Sequence, residues 1–165
     1  MSTIRFHLAE DALERVCFAY APMQEAVFSL HVLAEPQRHP LQHPWVREMR
    51  ALPLNLRREI AACSFALGAA PPNEGAALPN PLGRFPSDTS VTFEQGIAGL
   101  RALPADTIAA ELADAVTVGE RAPSAKTRGA VRMAREDPLA FMERLCRLLE
   151  DYWEAAFEKY WLGLE

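Results

Sequence analysis

The sequence contains no long apolar run. None of its stretches reaches the roughly 18 apolar residues that a membrane-spanning helix needs, because Glu or Arg interrupts even the longest candidates every few positions. The N-terminus reads MSTIRFHLAEDALERV and has acidic residues where a signal peptide would have its apolar segment. We therefore expect a cytoplasmic protein without membrane contact.

Basic charge and cysteine are also scarce. The chain has 17 Lys and Arg against 22 Asp and Glu, a net charge of -5. This balance argues against a chain that wraps nucleic acid, because such binding depends on cations that neutralise phosphates. The three cysteines, widely spaced in apolar surroundings, are Cys17, Cys63 and Cys146. An odd number without a Cys-x-x-Cys pair predicts buried free thiols in a reducing cytosol instead of a disulfide framework.

Enzyme signatures are missing as well. The chain has no Gly-x-Gly-x-x-Gly, Gly-x-x-x-x-Gly-Lys, Gly-x-Ser-x-Gly or His-Glu-x-x-His pattern. A catalytic thiolate needs an accessible, electropositive setting, which the apolar stretches around the cysteines do not offer. We predict that the protein is not an enzyme and has neither catalytic residues nor a cofactor.

Helical periodicity dominates what is present. With 165 residues and 50% apolar content, the chain is sized for one domain with its own core. Residues 3–8, TIRFHL, alternate polar and apolar and predict a short strand or an extended arm. Apolar residues then recur at helical spacing after Pro22, Pro44 and Pro53, and most clearly after the N-cap Asp137. The expected fold class is mainly α, a compact multi-helix domain with a long C-terminal helix.

A proline-rich segment divides the helical pattern. Residues 69–88 contain five prolines and two glycines, which excludes a regular element. A loop of this length is either a tether between two helical halves, which its composition favours, or a cover over a pocket. Residues 121–135 hold five basic residues with little apolar periodicity and predict a loop followed by a weak helix.

Two histidines four residues apart, His39 and His43, raise the possibility of a metal site. On one helix face this spacing chelates a metal, but Pro40 and Pro44 follow the two histidines, and a residue before proline is driven out of the helical region. No set of further ligands is evident, so we predict that no metal binds.

The same stretch leaves two other interpretations open. The histidines can be turn residues that lead Trp45 into the core. Alternatively, the start of the helix opened by Pro44 can bind an anion or effector, because free N–H groups point outward there. The residues that would contact this ligand are Arg38, His39, His43 and Arg47.

Two further surfaces are candidates for partner contacts. Arg128, Arg132 and Arg135 share one side if they are helical, and they form either a solvated face or a contact to the DNA backbone in a longer protein. The end of the last helix is crowded with aromatic side chains that a chain end would leave partly bare. This candidate interface consists of Tyr152, Trp153, Phe157, Tyr160 and Trp161.

Several of these residues carry a resemblance to a known family. The matching features are Arg5-Phe6, then FAYAPMQEAVFSLHVL, then HPLQHPWV, and finally Tyr152-Trp153 with Trp161. With these features the chain resembles the N-terminal region of actinobacterial ArsR-like transcriptional regulators. In that family such a region precedes a winged-helix DNA-binding domain. The Cys-x-Cys motif of its metal-sensing relatives belongs to that domain and has no counterpart here, so the resemblance does not extend to metal sensing.

The resemblance implies a function and a domain organisation. We expect residues 1–163 to form one helical accessory domain for dimerisation, effector sensing or both, truncated before its DNA-binding domain, with Leu164-Glu165 as a cloning remnant. Expected partners are a second copy, an unidentified small-molecule effector, and DNA only through the missing winged-helix domain. The alternatives are a stand-alone small-molecule binding protein or enzyme with a pocket under residues 69–88, and a helical interaction module.

Overall fold

The structure is a computed structural model that describes residues 20–68, 82, 90–121 and 124–161. Helices account for most of these residues, and an isolated parallel bridge between Tyr20 and Ser90 is their only β pairing. The predicted mainly α, multi-helix fold with a long C-terminal helix is therefore confirmed. The predicted strand at residues 3–8, Cys17 and most of segment 69–88 lie outside the described residues.

Eight α-helices occur in the part of the chain that the structure describes. They are α1 (Pro22–Ala34), α2 (His43–Glu48), α3 (Leu54–Cys63), α4 (Phe93–Arg101), α5 (Ala105–Arg121), α6 (Arg128–Glu136), α7 (Pro138–Tyr152) and α8 (Glu158–Trp161). Short 3₁₀ turns connect the early helices. These turns are Pro36–Arg38, Pro40–Gln42, Met49–Ala51 and Ser64–Leu67. No helix among the described residues is long and apolar enough to cross a membrane.

Local sequence signals explain where the helices begin. Proline occupies the first turn of α1 and α7, where a missing N–H costs nothing. At α7 the Asp137 carboxylate also accepts a hydrogen bond from the Ala140 N–H at 3.0 Å. Thr92 and Gln95 form a capping box at the start of α4, in which each side chain accepts from the other residue's backbone N–H.

Helix α7 lies at the centre of the fold. It packs against α1, α3, α4, α5 and α6. Residues from both sides of segment 69–88 share its core, and Leu82, from within that segment, is fully buried there. The buried residues of α7 are Phe141, Met142, Leu145, Cys146, Leu148, Leu149 and Tyr152. Burial of these seven side chains explains why the apolar pattern of this helix was the most regular in the sequence.

Helices α5 and α6 approach each other closely at Gly119. A Cβ atom added there would lie 2.7 Å from Cγ2 of Val131 and 3.2 Å from the Phe65 ring. Glycine is therefore required by packing at this position. The small buried side chains of α6, Ala130, Val131 and Ala134, allow the same approach, and they explain why this helix looked weak in the sequence.

The C-terminal helix is interrupted by one π-helical turn, Trp153–Phe157, between α7 and α8. Within this turn Trp153 stacks on Phe93 of α4 with a centroid distance of 4.4 Å. Beyond it Trp161 lies 4.6 Å from the ring of Tyr20. The turn thus places aromatic side chains of the last helix against other parts of the same chain.

Candidate functional site

Local contacts engage three of the four residues of the anion site, which stays a prediction. The Arg38 guanidinium pairs with the buried Glu35 carboxylate at 2.9 Å, and His43 Nε2 lies 2.9 Å from the Pro36 carbonyl oxygen. His39 packs edge-on against His31, 5.1 Å between centroids, while Arg47 is exposed. Local contacts therefore hold Arg38, His39 and His43, each with a different neighbour.

The two prolines act differently on the two histidines. His39 has φ -125° and ψ 64°, outside the helical region, as Pro40 predicts. His43 adopts φ -56° and ψ -35° despite the following Pro44, so α2 begins one residue earlier than predicted. Trp45 is half-buried and packs against the core, in line with the interpretation that this stretch leads Trp45 into the core.

The three basic residues of α6 lie along one groove. Arg128, Arg132 and Arg135 line a groove of about 430 Å³ between α5 and α6, together with Glu120 and Glu136. Arg135 Nη1 donates to Glu120 Oε1 at 2.8 Å. The two carboxylates offset part of the positive charge, and a contact to the DNA backbone through these residues stays a prediction.

The aromatic side chains of the last helix are partly covered by the chain itself. Tyr152 is fully buried, with its hydroxyl 2.8 Å from Ser29 Oγ, and burial raises the pKa of this phenol. Trp161 is 8% exposed, whereas Trp153, Phe157 and Tyr160 are half-buried. A second copy is not needed to cover Tyr152 or Trp161, and an interface through Trp153, Phe157 and Tyr160 stays a prediction.

The two described cysteines are buried free thiols, as predicted. Burial raises the pKa of Cys63 to about 12 and that of Cys146 to about 11. Such thiols stay protonated near neutral pH and are poor nucleophiles.

A cavity that the sequence did not predict lies between α1, α2 and α3, and we call it the α2–α3 cavity. Its volume is about 390 Å³, within the range of small-molecule sites. The lining is mostly apolar, with three cations at its edge: Leu33, Ala34, Val46, Met49, Arg50, Leu52, Arg57, Ile60, Ala61, Ser64, Ser124 and Lys126. A second cavity of about 600 Å³ adjoins it and shares Arg57, Ala61 and Lys126.

Helical spacing and one tight turn position these residues. On α3, Arg57 and Ala61 are four residues apart and therefore lie on the same face. Lys126 lies in the turn before α6, where Ser124 and Thr127 each donate a backbone N–H to the other's hydroxyl at 3.1 Å. The cavity is thus built from segments that are far apart in sequence, which no local motif could reveal.

The three cations of the cavity are not paired with any carboxylate of the described residues. No Asp or Glu is among its described lining residues. Within the described residues, the side chains of Arg50, Arg57 and Lys126 make no ion pair. Glu59 of α3 lines the adjoining cavity and is engaged by Arg144, which lowers the pKa of Glu59. The edge of the cavity is therefore a positively charged surface beside an apolar interior.

Comparison with known proteins gives one partial match. A family model described as a family of unknown function (DUF5937) matches residues 2–68. No curated protein and no solved structure matches the chain significantly. The matched segment contains α1, α2 and α3, and with them all the described lining of the α2–α3 cavity except Ser124 and Lys126.

Proposed function

We propose that this chain is the effector-sensing region of a cytoplasmic ArsR-like transcription regulator, with the α2–α3 cavity as the effector site. The observation that carries the proposal is the cavity itself, because apolar walls with a few polar groups at one edge are typical of small-molecule sites. The sequence resemblance supports the role in a transcription regulator, and the cavity supports the binding of an effector.

The position of α2 supports a route from the cavity to the C-terminal helix. Val46 of α2 lines the cavity, while Glu48, two residues later, accepts a hydrogen bond from the Tyr160 hydroxyl. Glu48 also lies 3.7 Å from the Lys159 ammonium. A ligand that moves α2 would therefore change its contact with α8, the helix that precedes the DNA-binding domain in the family that this chain resembles.

Thermal-shift screening of a small-molecule library tests the effector site. Compounds that raise the melting temperature of the wild-type chain should fail to stabilise Ala34→Phe, which fills the cavity from α1. Val46→Trp, from α2, serves as a second filled variant, and circular dichroism must show that both fold. Compounds that stabilise all three proteins equally bind elsewhere and would contradict the proposal.

Tryptophan emission tests the route through α2. In a Trp45→Phe background the emission reports only Trp153 and Trp161. An effector should change this emission, and Tyr160→Phe, which removes the donor to Glu48, should reduce the change while leaving the thermal shift intact. An undiminished change in Tyr160→Phe would show that Glu48 does not carry the signal.

The regulatory role has two tests of its own. The parent reading frame should continue past Trp161 into a winged-helix pattern, and a frame without one would contradict the role. Residues 1–165 alone should bind DNA weakly, so a salt-sensitive, specific affinity of the order of nanomolar would also contradict it.

The expected homodimer is tested by light scattering on Trp153→Ala and Phe157→Ala. An unchanged mass at low concentration would argue against this interface.

A further inference from the structure

We infer that the α2–α3 cavity takes a small amphipathic anion, a ligand with an apolar body and one negatively charged head. The inference rests on the proposed function and names the chemical class of its effector. Its basis is the combination of an apolar interior with an edge that carries three cations and no carboxylate among the described residues.

The size and walls of the cavity define the body of the ligand. A volume of about 390 Å³ corresponds to roughly a dozen water molecules at about 30 Å³ each, which suits a small ligand. Met49, Leu52 and Ile60 line it and are nearly inaccessible to solvent. A hydrocarbon chain or a single aromatic ring gains most from such walls, because it removes apolar surface from water.

The edge of the cavity defines the head. Arg50, Arg57 and Lys126 come from three separate segments of the chain and line the same space. A cationic ligand would meet like charge there, and a neutral one would gain less from the three positive charges than an anion would. An anionic head gains charge-assisted hydrogen bonds from the guanidinium and ammonium groups, which are stronger than bonds between neutral groups.

The two hydroxyls of the cavity do not favour a neutral polar ligand. Ser64 Oγ donates to the Ala61 carbonyl oxygen at 3.1 Å, and Ser124 Oγ lies 3.0 Å from Thr127 Oγ1. Both groups are occupied within the chain. The cationic side chains are therefore the hydrogen-bond donors left for a ligand.

Isothermal titration calorimetry on the full chain tests the inference with three probes of equal chain length: octanoate, octanol and octylamine. Octanoate should bind at least roughly tenfold more tightly than either of the others, since only its head brings a negative charge to the three cations. Acetate, which has the head without the body, should bind more weakly than octanoate. Octanol or octylamine binding as tightly as octanoate would overturn the anionic class, while the effector site itself would stand.

Two matched variants locate the anion. Of these two cavities, Arg50 lines the α2–α3 cavity and Arg58 lines the adjoining one. Arg50→Met should weaken octanoate binding roughly fivefold, a modest loss because the side chain is exposed, and Arg58→Met should leave it unchanged. The reverse result would place the anion in the adjoining cavity and overturn the inference.

Failure of the inference is distinguishable from failure of the proposed function. If none of the three probes binds a folded chain, the inference is wrong. The effector site falls only if the library screen also finds no compound whose thermal shift is lost in Ala34→Phe. Octanoate binding that leaves the Trp153 and Trp161 emission unchanged would support the ligand class and contradict the sensing role.

Discussion

The two sides of helix α3 treat charge in opposite ways. On one side Glu59 accepts hydrogen bonds from Arg144 of α7, including one from Nη2 to Oε2 at 3.0 Å. On the other side Arg57 lines the α2–α3 cavity and makes no ion pair with any described residue. The paired side joins two helices, and the unpaired side leaves positive charge next to an apolar space. Glu59 thus helps to hold α3 against α7, whereas no described carboxylate compensates the charge of Arg57.

Helix α7 carries further ion pairs at the surface of the protein. The Arg101 guanidinium binds Glu143 at 2.9 Å and Glu150 at 2.7 Å, and Arg147 binds Glu143 at 3.1 Å. These pairs are partly exposed, so each contributes little by itself. The two pairs of Arg101 place opposite charges of α4 and α7 next to each other.

The largest expected loss of stability comes from truncating a methionine in the packed core, and the matched control is a methionine in the cavity wall. Met142→Ala on α7 should lower the free energy of unfolding by about 3 to 4 kcal/mol, because this side chain is enclosed on all sides. Met49→Ala should cost only about 2 kcal/mol, since one side of Met49 faces the cavity. Urea unfolding measures both values, and equal losses would show that the cavity is filled in solution.

Glycine substitutions test the tight packing at the junction of α5 and α6. Gly119→Ala should destabilise the protein by about 1 to 3 kcal/mol, because its Cβ would lie 2.7 Å from Val131 Cγ2. Gly99→Ala, on α4, meets no atom within 4 Å and should stabilise by roughly 0.5 to 1 kcal/mol. The two melting temperatures should therefore move in opposite directions, and a neutral Gly119→Ala would contradict the close packing.

The two sides of α3 are compared directly by Glu59→Gln and Arg57→Gln. Glu59→Gln should cost about 1 kcal/mol near neutral pH, a value reduced for the partial exposure of the pair. Arg57→Gln should change stability by less than about 0.5 kcal/mol. Denaturant unfolding at pH 7 measures both free energies of unfolding. A loss in Arg57→Gln as large as that in Glu59→Gln would reveal a structural partner of Arg57.

The cost of Glu59→Gln should also depend on pH. Arg144 lowers the pKa of folded Glu59 below its ordinary value of 4.5, so the stabilisation is fully present above 4.5 and is lost as the pH falls below it. The difference between wild type and variant should accordingly narrow at about pH 3. A difference that widens toward acid would contradict the ion pair.

The smallest expected effect belongs to the surface pairs of α7. Arg101→Met should lower the melting temperature less than Glu59→Gln does, because the pairs of Arg101 are more exposed than that of Glu59 and are screened by salt. The loss should shrink further in about 1 M salt, where the screening length is about 3 Å. A salt-independent loss would mean that Arg101 acts through packing of its aliphatic stem.

Local sequence signals predicted the helices better than the site. The proline and Asp137 signals placed the starts of α1 and α7, because first-turn proline and N-cap carboxylates act within a few residues. His43 shows the limit of such rules, since it lies in the helical region in spite of the following Pro44. Tertiary contacts are not visible in a local pattern.

The cavity could not be predicted because its parts are distant in sequence. Arg57 and Lys126 come from segments separated by the proline-rich stretch, and each one alone looks like an ordinary solvated cation. The ion pair of Glu59 with Arg144 spans 85 positions and was equally hidden. The basic residues of α6 are visible in the sequence as a possible DNA contact because they are neighbours in the chain. In the structure two carboxylates line the same groove.

The π-helical turn at Trp153–Phe157 affects how related sequences should be compared. In a regular α-helix, side chains four positions apart are offset by about 40° around the axis, so Trp153, Phe157 and Trp161 would fan out over about 80°. A π-helical turn holds more residues than an α-helical one and changes these offsets, and here the Trp153 ring lies 5.6 Å from Phe157 and 6.2 Å from Trp161. The arrangement of these rings therefore depends on the number of residues in the turn as well as on their identity. A relative that keeps every aromatic residue but lacks one position here would have a differently oriented helix end, which an identity score would not reveal.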